Sequence, residues 1–352
     1  MSYHRLANIN IESVELLATP REMRAAVPQT DASFAAVLHG RETIKRILDG
    51  EDHRLLAVVG PCSIHNIDAA EEYAQRLKRL SDEISDRIYV IMRVYFEKPR
   101  SVLGWKGLIN DPYMNDTFQI EDGIRMARRF LVRVAEIGLP AATEVLDTLM
   151  PQYIGDLISW SVIGARTAEA QTHREIASGI STPVGFKNAT DGSFDAAING
   201  MRAAKGPHHF LGVTEDGLPA VYSTTGNAYS QIVLRGGKQP NYDAANVARC
   251  EQALRAARLP INIIVDCSHS NSHKKPELQG EVLNDILTQI EQGNRSIRGF
   301  MLESHLEWGA QPMPKDLSVL RPGLSVTDAC IDWPTTEKLL REARRRSAIR
   351  LN

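Results

Sequence analysis

The sequence predicts an α/β protein built as a (β/α)8 barrel, with an N-terminal extension and one inserted β-hairpin. Three observations carry that prediction. Short runs rich in Val and Ile alternate with longer amphipathic patterns along most of the chain. Runs such as LLAVV at 55–59 and INIIV at 261–265 are largely apolar at successive positions, as strands covered on both faces are. Eight such runs with helices between them suit a closed barrel better than a doubly wound sheet. No GxGxxG or GxxxxGK[ST] follows the first strand, which weakens a nucleotide-binding reading.

In chain order, residues 1–52 read as a mostly helical extension with Pro20 and Pro28 as breaks, suited to regulation or oligomerisation. Residues 53–352 read as the catalytic barrel. Its strands are expected at 55–59, 89–95, 141–143, 160–163, 183–186, 210–213, 263–266 and 299–302. Helical patterns fall at 69–83, 121–137, 193–204, 244–257 and 277–292. The β-like runs 220–223 and 231–234, around TTGNAYS, predict an inserted hairpin at about 214–235, between strands six and seven.

Composition narrows the function classes. The 352 residues are 43% hydrophobic and 24% charged, as in a globular protein. A net charge of −2 argues against a nucleic-acid partner, so any cationic cluster must be local. The N-terminus has no apolar signal region and no stretch approaches the ~18 apolar residues of a membrane span, so a cytoplasmic protein is expected. Four scattered cysteines do not make a disulfide framework.

The most informative segment is 91–112, IMRVYFEKPRSVLGWKGLINDP. An apolar strand runs into a stiff loop carrying Arg93, Lys98, Arg100 and Lys106, broken by Pro99, Gly104 and Gly107, with Glu97 as its one acid before Asp111. Arg offers forked donors and Lys a point charge, so such a loop suits a small multiply charged anion.

Nearly every other strand also ends in a charged or reactive group: Cys62, Glu144, Arg166, Lys187, His269, Glu303, and Arg235 after the hairpin. In a parallel barrel these ends converge on one mouth. Two chemistries result. Arg93, Lys98, Arg100, Arg166, Lys187 and Arg235 form a cationic group. Cys62, His269, Glu303 and Asp328 offer sulfur, nitrogen and carboxylate ligands for a divalent metal. Their spacing is not a metal motif, and buried Cys and capping Asp are commonplace, so a purely structural reading of these four stays open. His65, His173, His208, His209 and His305 are read as capping, packing or mouth-lining residues, and Cys250 as an inert small hydrophobe. Cys267 and Cys330 lie close in sequence to candidate ligands and could pair oxidatively with Cys62.

The blocks GPCSIH, MRVYFEKPRSVLGWKGLINDP, IGART, PVGFKN, RGGK, DCSHSNS, ESH and SVTDAC, in that order, resemble the 3-deoxy-D-arabino-heptulosonate 7-phosphate (DAHP) synthases. The resemblance is to the feedback-regulated bacterial and fungal class with an N-terminal extension, and it runs over about 54–333. It implies a metal-dependent, aldol-like condensation of phosphoenolpyruvate with D-erythrose 4-phosphate and water, giving DAHP and phosphate, the first step of the shikimate pathway. The two substrates together carry about five negative charges, which the cationic group would answer.

By motif, the resemblance assigns Arg93 and Lys187 to the phosphoenolpyruvate carboxylate, and Arg166 and Arg235, with the backbone at Ala165, to its phosphate. Pro99, Arg100 and Ser101 match the erythrose phosphate end, with Ser101 where the family commonly has Thr. Lys98 lies between the substrates as the candidate for proton handling, and Cys62, His269, Glu303 and Asp328 match the ligands of one divalent ion (Mn, Fe, Co or Zn). An aromatic amino-acid pocket at a subunit boundary is implied at Asp147, Pro151, Gln152, Ser181, Phe210, Gly212 and Tyr222. In the family, Gly at the Gly212 position goes with tyrosine inhibition, the expected reason being room for the ring hydroxyl. A homodimer or homotetramer is expected. The rival readings are a related phosphoenolpyruvate–aldose phosphate synthase, a class II metal aldolase, and a non-catalytic amino-acid sensor. Intact cations and ligands argue against the sensor, and a panel of aldose phosphates separates the enzymes.

Overall fold

Each barrel strand is buried at successive positions because it serves two cores at once. The computed structural model describes residues 6–100, 104–314 and 316–347. Its strands are β1 (Leu55–Gly60), β2 (Ile88–Arg93), β3 (Ala141–Glu144), β4 (Trp160–Ile163), β5 (Val184–Lys187), β6 (His209–Val213), β7 (Pro219–Ser223), β8 (Ser230–Leu234), β9 (Ile263–Asp266) and β10 (Ile297–Glu303). All except β6 and β7 close one parallel barrel in the order β1-β10-β9-β8-β5-β4-β3-β2. In β1, Leu56 and Val58 face the barrel interior with Ile91, Trp160, Val162, Ile264 and Met301. Leu55, Ala57 and Val59 pack outward against the surrounding helices. That division explains why LLAVV shows no alternation.

The helices are α1 (Pro20–Ala26), α2 (Asp31–Asp49), α3 (Ile67–Ile84), α4 (Ile120–Glu136), α5 (Met150–Ile154), α6 (Gln171–Gly179), α7 (Asp195–Lys205), α8 (Ala244–Ala256), α9 (Gln279–Glu291) and α10 (Trp333–Arg346). None among the described residues is long and apolar enough to cross a membrane. Pro20 starts α1 instead of breaking a helix: it sits at the first helical position behind a Thr19–Glu22 capping box, where a missing N–H costs nothing. Ile44, Ile47 and Leu48 of α2 are buried in the same cluster as the barrel interior, so the segment before β1 stoppers the barrel's N-terminal end. Each such side chain contributes about 1.5–3 kcal/mol of burial.

Arg128 on α4 ties the outer elements together. It is fully buried, sits 2.7 Å from Asp156 Oδ1 and donates to the Tyr153 carbonyl and, at 3.1 Å, to the Val27 carbonyl. The connection between α1 and α2 is thereby fixed to α4 and α5.

One expected boundary is corrected. Residues 210–213 are not a barrel strand: β6 pairs antiparallel with β7, Phe210 opposite Tyr222, and the two form a separate hairpin. The sixth barrel strand is β8, which contains 231–234. The hairpin therefore lies between the fifth and sixth barrel strands, at 209–223. The cause is visible in burial. β8 is buried at every position, as a doubly covered strand requires, whereas β6 and β7 keep exposed residues such as Leu211 and Val221. The turn is Thr214–Leu218, closed by a bond from Thr214 N–H to the Leu218 carbonyl, with Gly217 at φ +76°.

Candidate functional site

The C-terminal ends of the barrel strands hold one continuous polar chain. Lys187, at the end of β5, places Nζ 3.1 Å from Asp266 Oδ2 at the end of β9. The same carboxylate oxygen lies 2.9 Å from His269 Nδ1. His269 Nε2 is 3.8 Å from Glu303 Oε1 at the end of β10, and that oxygen accepts from Arg93 Nη2 at 3.0 Å. Arg93, Lys187, Asp266 and Glu303 are all buried. Burial disfavours the Asp266 charge, but His269 and Lys187 overcome it and hold the carboxyl well below its ordinary range.

The sulfur, nitrogen and carboxylate groups meet at this chain. The ligand atoms of Cys62, Glu303 and Asp328 all lie within 4.8 Å of one another, and His269 joins them through Glu303. Because Nδ1 of His269 faces Asp266, Nε2 is the nitrogen on the Glu303 side, although His269 is not one of the three residues whose ligand atoms all lie within 4.8 Å of one another. Burial, then Glu303, pushes the Cys62 thiol up; a bound cation would reverse this. Mixed thiolate, imidazole and carboxylate donors fit a divalent transition ion. His269 has φ +55°, an uncommon conformation for a non-glycine residue, and it turns the chain so that the ring returns to the β9 end.

The cations surround this centre. Lys98 Nζ donates to the Cys62 carbonyl at 3.0 Å and reaches its Sγ at 3.1 Å. The Arg93 guanidinium stacks on the Tyr95 ring at 3.8 Å, and among the described residues no group accepts from its buried Nη1. Arg235 is half-buried and donates to Ser270 Oγ at 3.2 Å; burial and then the like charge of nearby Arg166 lower its pKa. Arg166 is exposed, and the adjacent Ala165 is half-buried. Arg100 is exposed, with Nε on the Trp105 carbonyl at 2.8 Å, beside the half-buried Pro99. Ser101 lies outside the described residues.

Sequence reasoning left Asp266 out of the site, although its position at a strand end was the available signal. It also passed over Asn188, whose Oδ1 accepts from Arg235 N–H at 2.8 Å and from Asn241 at 3.2 Å, setting the Arg235 turn. The histidines read as structural behave so. His173 donates to the Leu146 carbonyl and His208 to that of Ala203. His65 and His305 face each other with ring centres 5.7 Å apart, and burial lowers them to about 4 and about 3.

A second concavity of about 860 Å³ opens on the barrel flank. Its walls include Pro151, Gln152, Ser181, Phe210, Gly212 and Tyr222, six of the seven expected effector-site residues. Asp147 is outside the lining and instead caps Leu149 N–H at 2.7 Å. The space over Gly212 is not open as expected. Tyr222 stacks on Phe210 with ring centres 5.8 Å apart, and a Cβ on Gly212 would come within 2.7 Å of the Tyr222 ring. Glycine is needed there so that this ring can lie against the strand.

Comparison with known proteins gives one family. A family model described as DAHP synthetase I matches residues 27–341. The chain is 51% identical to the Tyr-sensitive phospho-2-dehydro-3-deoxyheptonate aldolase of Salmonella typhimurium, over 97% of this chain and 96% of that protein. It is 49% identical to the Phe-sensitive enzyme of Escherichia coli, over 95% of both. The solved structure of phospho-2-dehydro-3-deoxyheptonate aldolase from Francisella tularensis superposes with a TM-score of 0.94 at 43% identity, covering 97% of this chain and 99% of that one.

Proposed function

The chain belongs to the DAHP synthetase I family, and from that premise we propose that its barrel mouth condenses phosphoenolpyruvate with D-erythrose 4-phosphate and water. The products are DAHP and inorganic phosphate. The observation that carries this reading is the unbroken sequence Lys187–Asp266–His269–Glu303–Arg93, which sets anion-binding cations directly against a metal-ligand set.

Arg93 offers its unengaged Nη1, and with Lys187 it holds the phosphoenolpyruvate carboxylate. Arg166 and Arg235 clamp the phosphate beside the Ala165 backbone. Pro99, Arg100 and Ser101 receive the phosphate end of the aldose. Cys62, His269, Glu303 and Asp328 hold one divalent ion, which when bound supplies Lewis-acid polarisation at the reacting oxygens. The clamps align C3 of phosphoenolpyruvate with the aldehyde carbon, and such positioning supplies several kcal/mol of the barrier. As that bond forms, Lys98 delivers a proton to the aldehyde oxygen. Water adds to C2 and returns one proton to Lys98; the C2–O bond to phosphate then breaks as the new hydroxyl becomes the C2 ketone and its proton leaves with the phosphate.

The flank cavity takes an aromatic amino acid, with tyrosine the preferred effector, a reading supported by the similarity to the Tyr-sensitive relative. Leu6, Ile9, Leu16 and Leu211 are 71–95% exposed on the N-terminal arm and the hairpin, which supports a homodimer or homotetramer. A phosphate-release assay with erythrose, ribose and arabinose phosphates, with and without chelator and with each aromatic amino acid, tests the whole reading. Turnover of the four-carbon sugar that chelator abolishes supports it. Preference for a pentose phosphate gives the site to the related synthases, and no turnover with any sugar removes the proposal.

A further inference from the structure

Residues 91, 93 and 95 share one side of β2 and its continuation, because successive side chains of an extended chain point to opposite sides. Ile91 and Tyr95 are buried in the barrel-interior cluster, while Val94 and Phe96 pack outward against the helices. Arg93 lies between the two interior residues and is wholly buried. Pairing continues past it, since Val94 N–H bonds to the Ala142 carbonyl at 2.8 Å. The Tyr95 carbonyl then accepts from Ile64 N–H at 2.9 Å, which ties Tyr95 to the turn that carries Cys62.

The Arg93 guanidinium is held along one edge and against one face. Its Nε donates to the Pro61 carbonyl at 3.3 Å and its Nη2 to Glu303 Oε1 at 3.0 Å. A Cβ on Gly60 would stand 2.8 Å from the Arg93 carbonyl and 3.0 Å from Arg93 Cβ, so β1 seats that residue only with glycine there. The face is covered by Tyr95, with 3.8 Å from the guanidinium carbon to the ring centre. An acid in place of Tyr95 would accept from the guanidinium and occupy the donor that an incoming anion needs. A ring face attracts the same cation through its quadrupole and uses no N–H. Nη1 is the nitrogen that this arrangement leaves without an acceptor among the described residues. Lys98 Nζ lies 5.9 Å from the same ring centre, at the limit of such attraction, so the ring serves Arg93 first.

We propose that Tyr95 is a positioning residue for the condensation: its ring face fixes the plane of the Arg93 guanidinium, so that Nη1 is held ready for an anionic group of phosphoenolpyruvate. This rests on the reading of Arg93 as a phosphoenolpyruvate contact. Without the ring, the guanidinium is anchored only through Nε and Nη2, and its plane tilts about that edge. A donor already set in place before the substrate arrives removes an ordering cost from binding. The aromatic face does this, and the hydroxyl takes no part.

The test uses the full chain loaded with manganese. Calorimetry with phosphoenolpyruvate alone reads binding without turnover, and initial rates read kcat and both substrate constants. Tyr95→Phe keeps the ring face and is expected to bind as the wild type does. Tyr95→Leu is expected to weaken binding by about 10–30-fold, with KM for phosphoenolpyruvate rising alike and KM for the aldose phosphate unmoved. If thermal melting shows the Leu chain unfolded, phenylalanines of increasing fluorination are incorporated at position 95 and read in its place. Fluorine keeps the ring's shape while draining its face of negative charge, so affinity should fall with each step, which a purely structural ring would not cause. Unchanged affinity in Tyr95→Leu or a flat fluorination series overturns the proposal. So does equal weakening in Tyr95→Phe, which would move the effect to the hydroxyl, or metal content falling in step with affinity, which would route it through Glu303. A wild-type chain that binds no phosphoenolpyruvate, or an Arg93→Leu chain that binds it as the wild type does, defeats the reading of Arg93 itself, and these two titrations alone show which has failed.

Discussion

Lys98 Nζ stands 3.1 Å from Cys62 Sγ and 3.0 Å from the carbonyl oxygen of the same residue. One ammonium thus addresses a candidate metal ligand and the backbone that carries it, and β1 and β2 are held together at the point where the chemistry is placed. Lys98→Ala should lower kcat by about 10²–10⁴-fold, the usual worth of a positioned proton donor. Metal content, measured by elemental analysis, should stay at one equivalent. A variant that keeps kcat within tenfold would remove Lys98 from the proton transfer.

Asp266 serves two partners, so Asp266→Asn should produce two separable losses. Loss of the carboxylate behind His269 should weaken metal binding by about 10–100-fold in a metal titration. Leaving Lys187 buried beside a neutral amide should cost about 3–5 kcal/mol in urea unfolding of the metal-free chain. Destabilisation with unaltered metal affinity would assign Asp266 to Lys187 alone.

Burial, with Asp147 and Glu144 nearby, raises Glu97 from an ordinary carboxyl value near 4.5 to about 8. A raised carboxyl pKa means that the folded state holds a proton which the unfolded chain releases earlier. The associated stability is complete below about pH 4.5 and is lost as pH rises through 8. The slope is about 1.4 kcal/mol per pH unit within that window. Urea unfolding at pH 5, 6, 7 and 8 should show this decline in the wild type and a flatter profile in Glu97→Gln. Parallel profiles would mean that Glu97 titrates normally.

Gly212 and Tyr222 form one packing unit. Gly212→Ser must displace the Tyr222 ring, so its effect on effector binding should depend on what stands at 222. Calorimetry on the wild type, Gly212→Ser, Tyr222→Val and the double variant should give a coupling energy of about 0.5–3 kcal/mol. Additive behaviour would show that the two positions act independently.

Much of this was readable from residue order, and the misreadings have physical causes. The doubly apolar runs at 55–59 and 261–265 announced a covered parallel sheet, and the strand-end cations and ligands announced one crowded mouth. The sixth strand was misplaced because HFLGV and SQIVL carry similar apolar content, and only burial on both faces separates them. The better signal was Asp216-Gly217, a turn dipeptide lying between β6 and β7. Asp266 was missed as a functional group because its partner Lys187 is remote in sequence and becomes its neighbour only when the barrel closes. The room expected above Gly212 was a statement about one residue, whereas the space belongs to Tyr222 as well.

The stopper that Ile44, Ile47 and Leu48 form under the barrel has an evolutionary consequence. A start codon shifted past α2 would strip that floor and leave apolar barrel residues open to aggregation, so the helical segment before β1 cannot be shed in one step and can change only by point substitution.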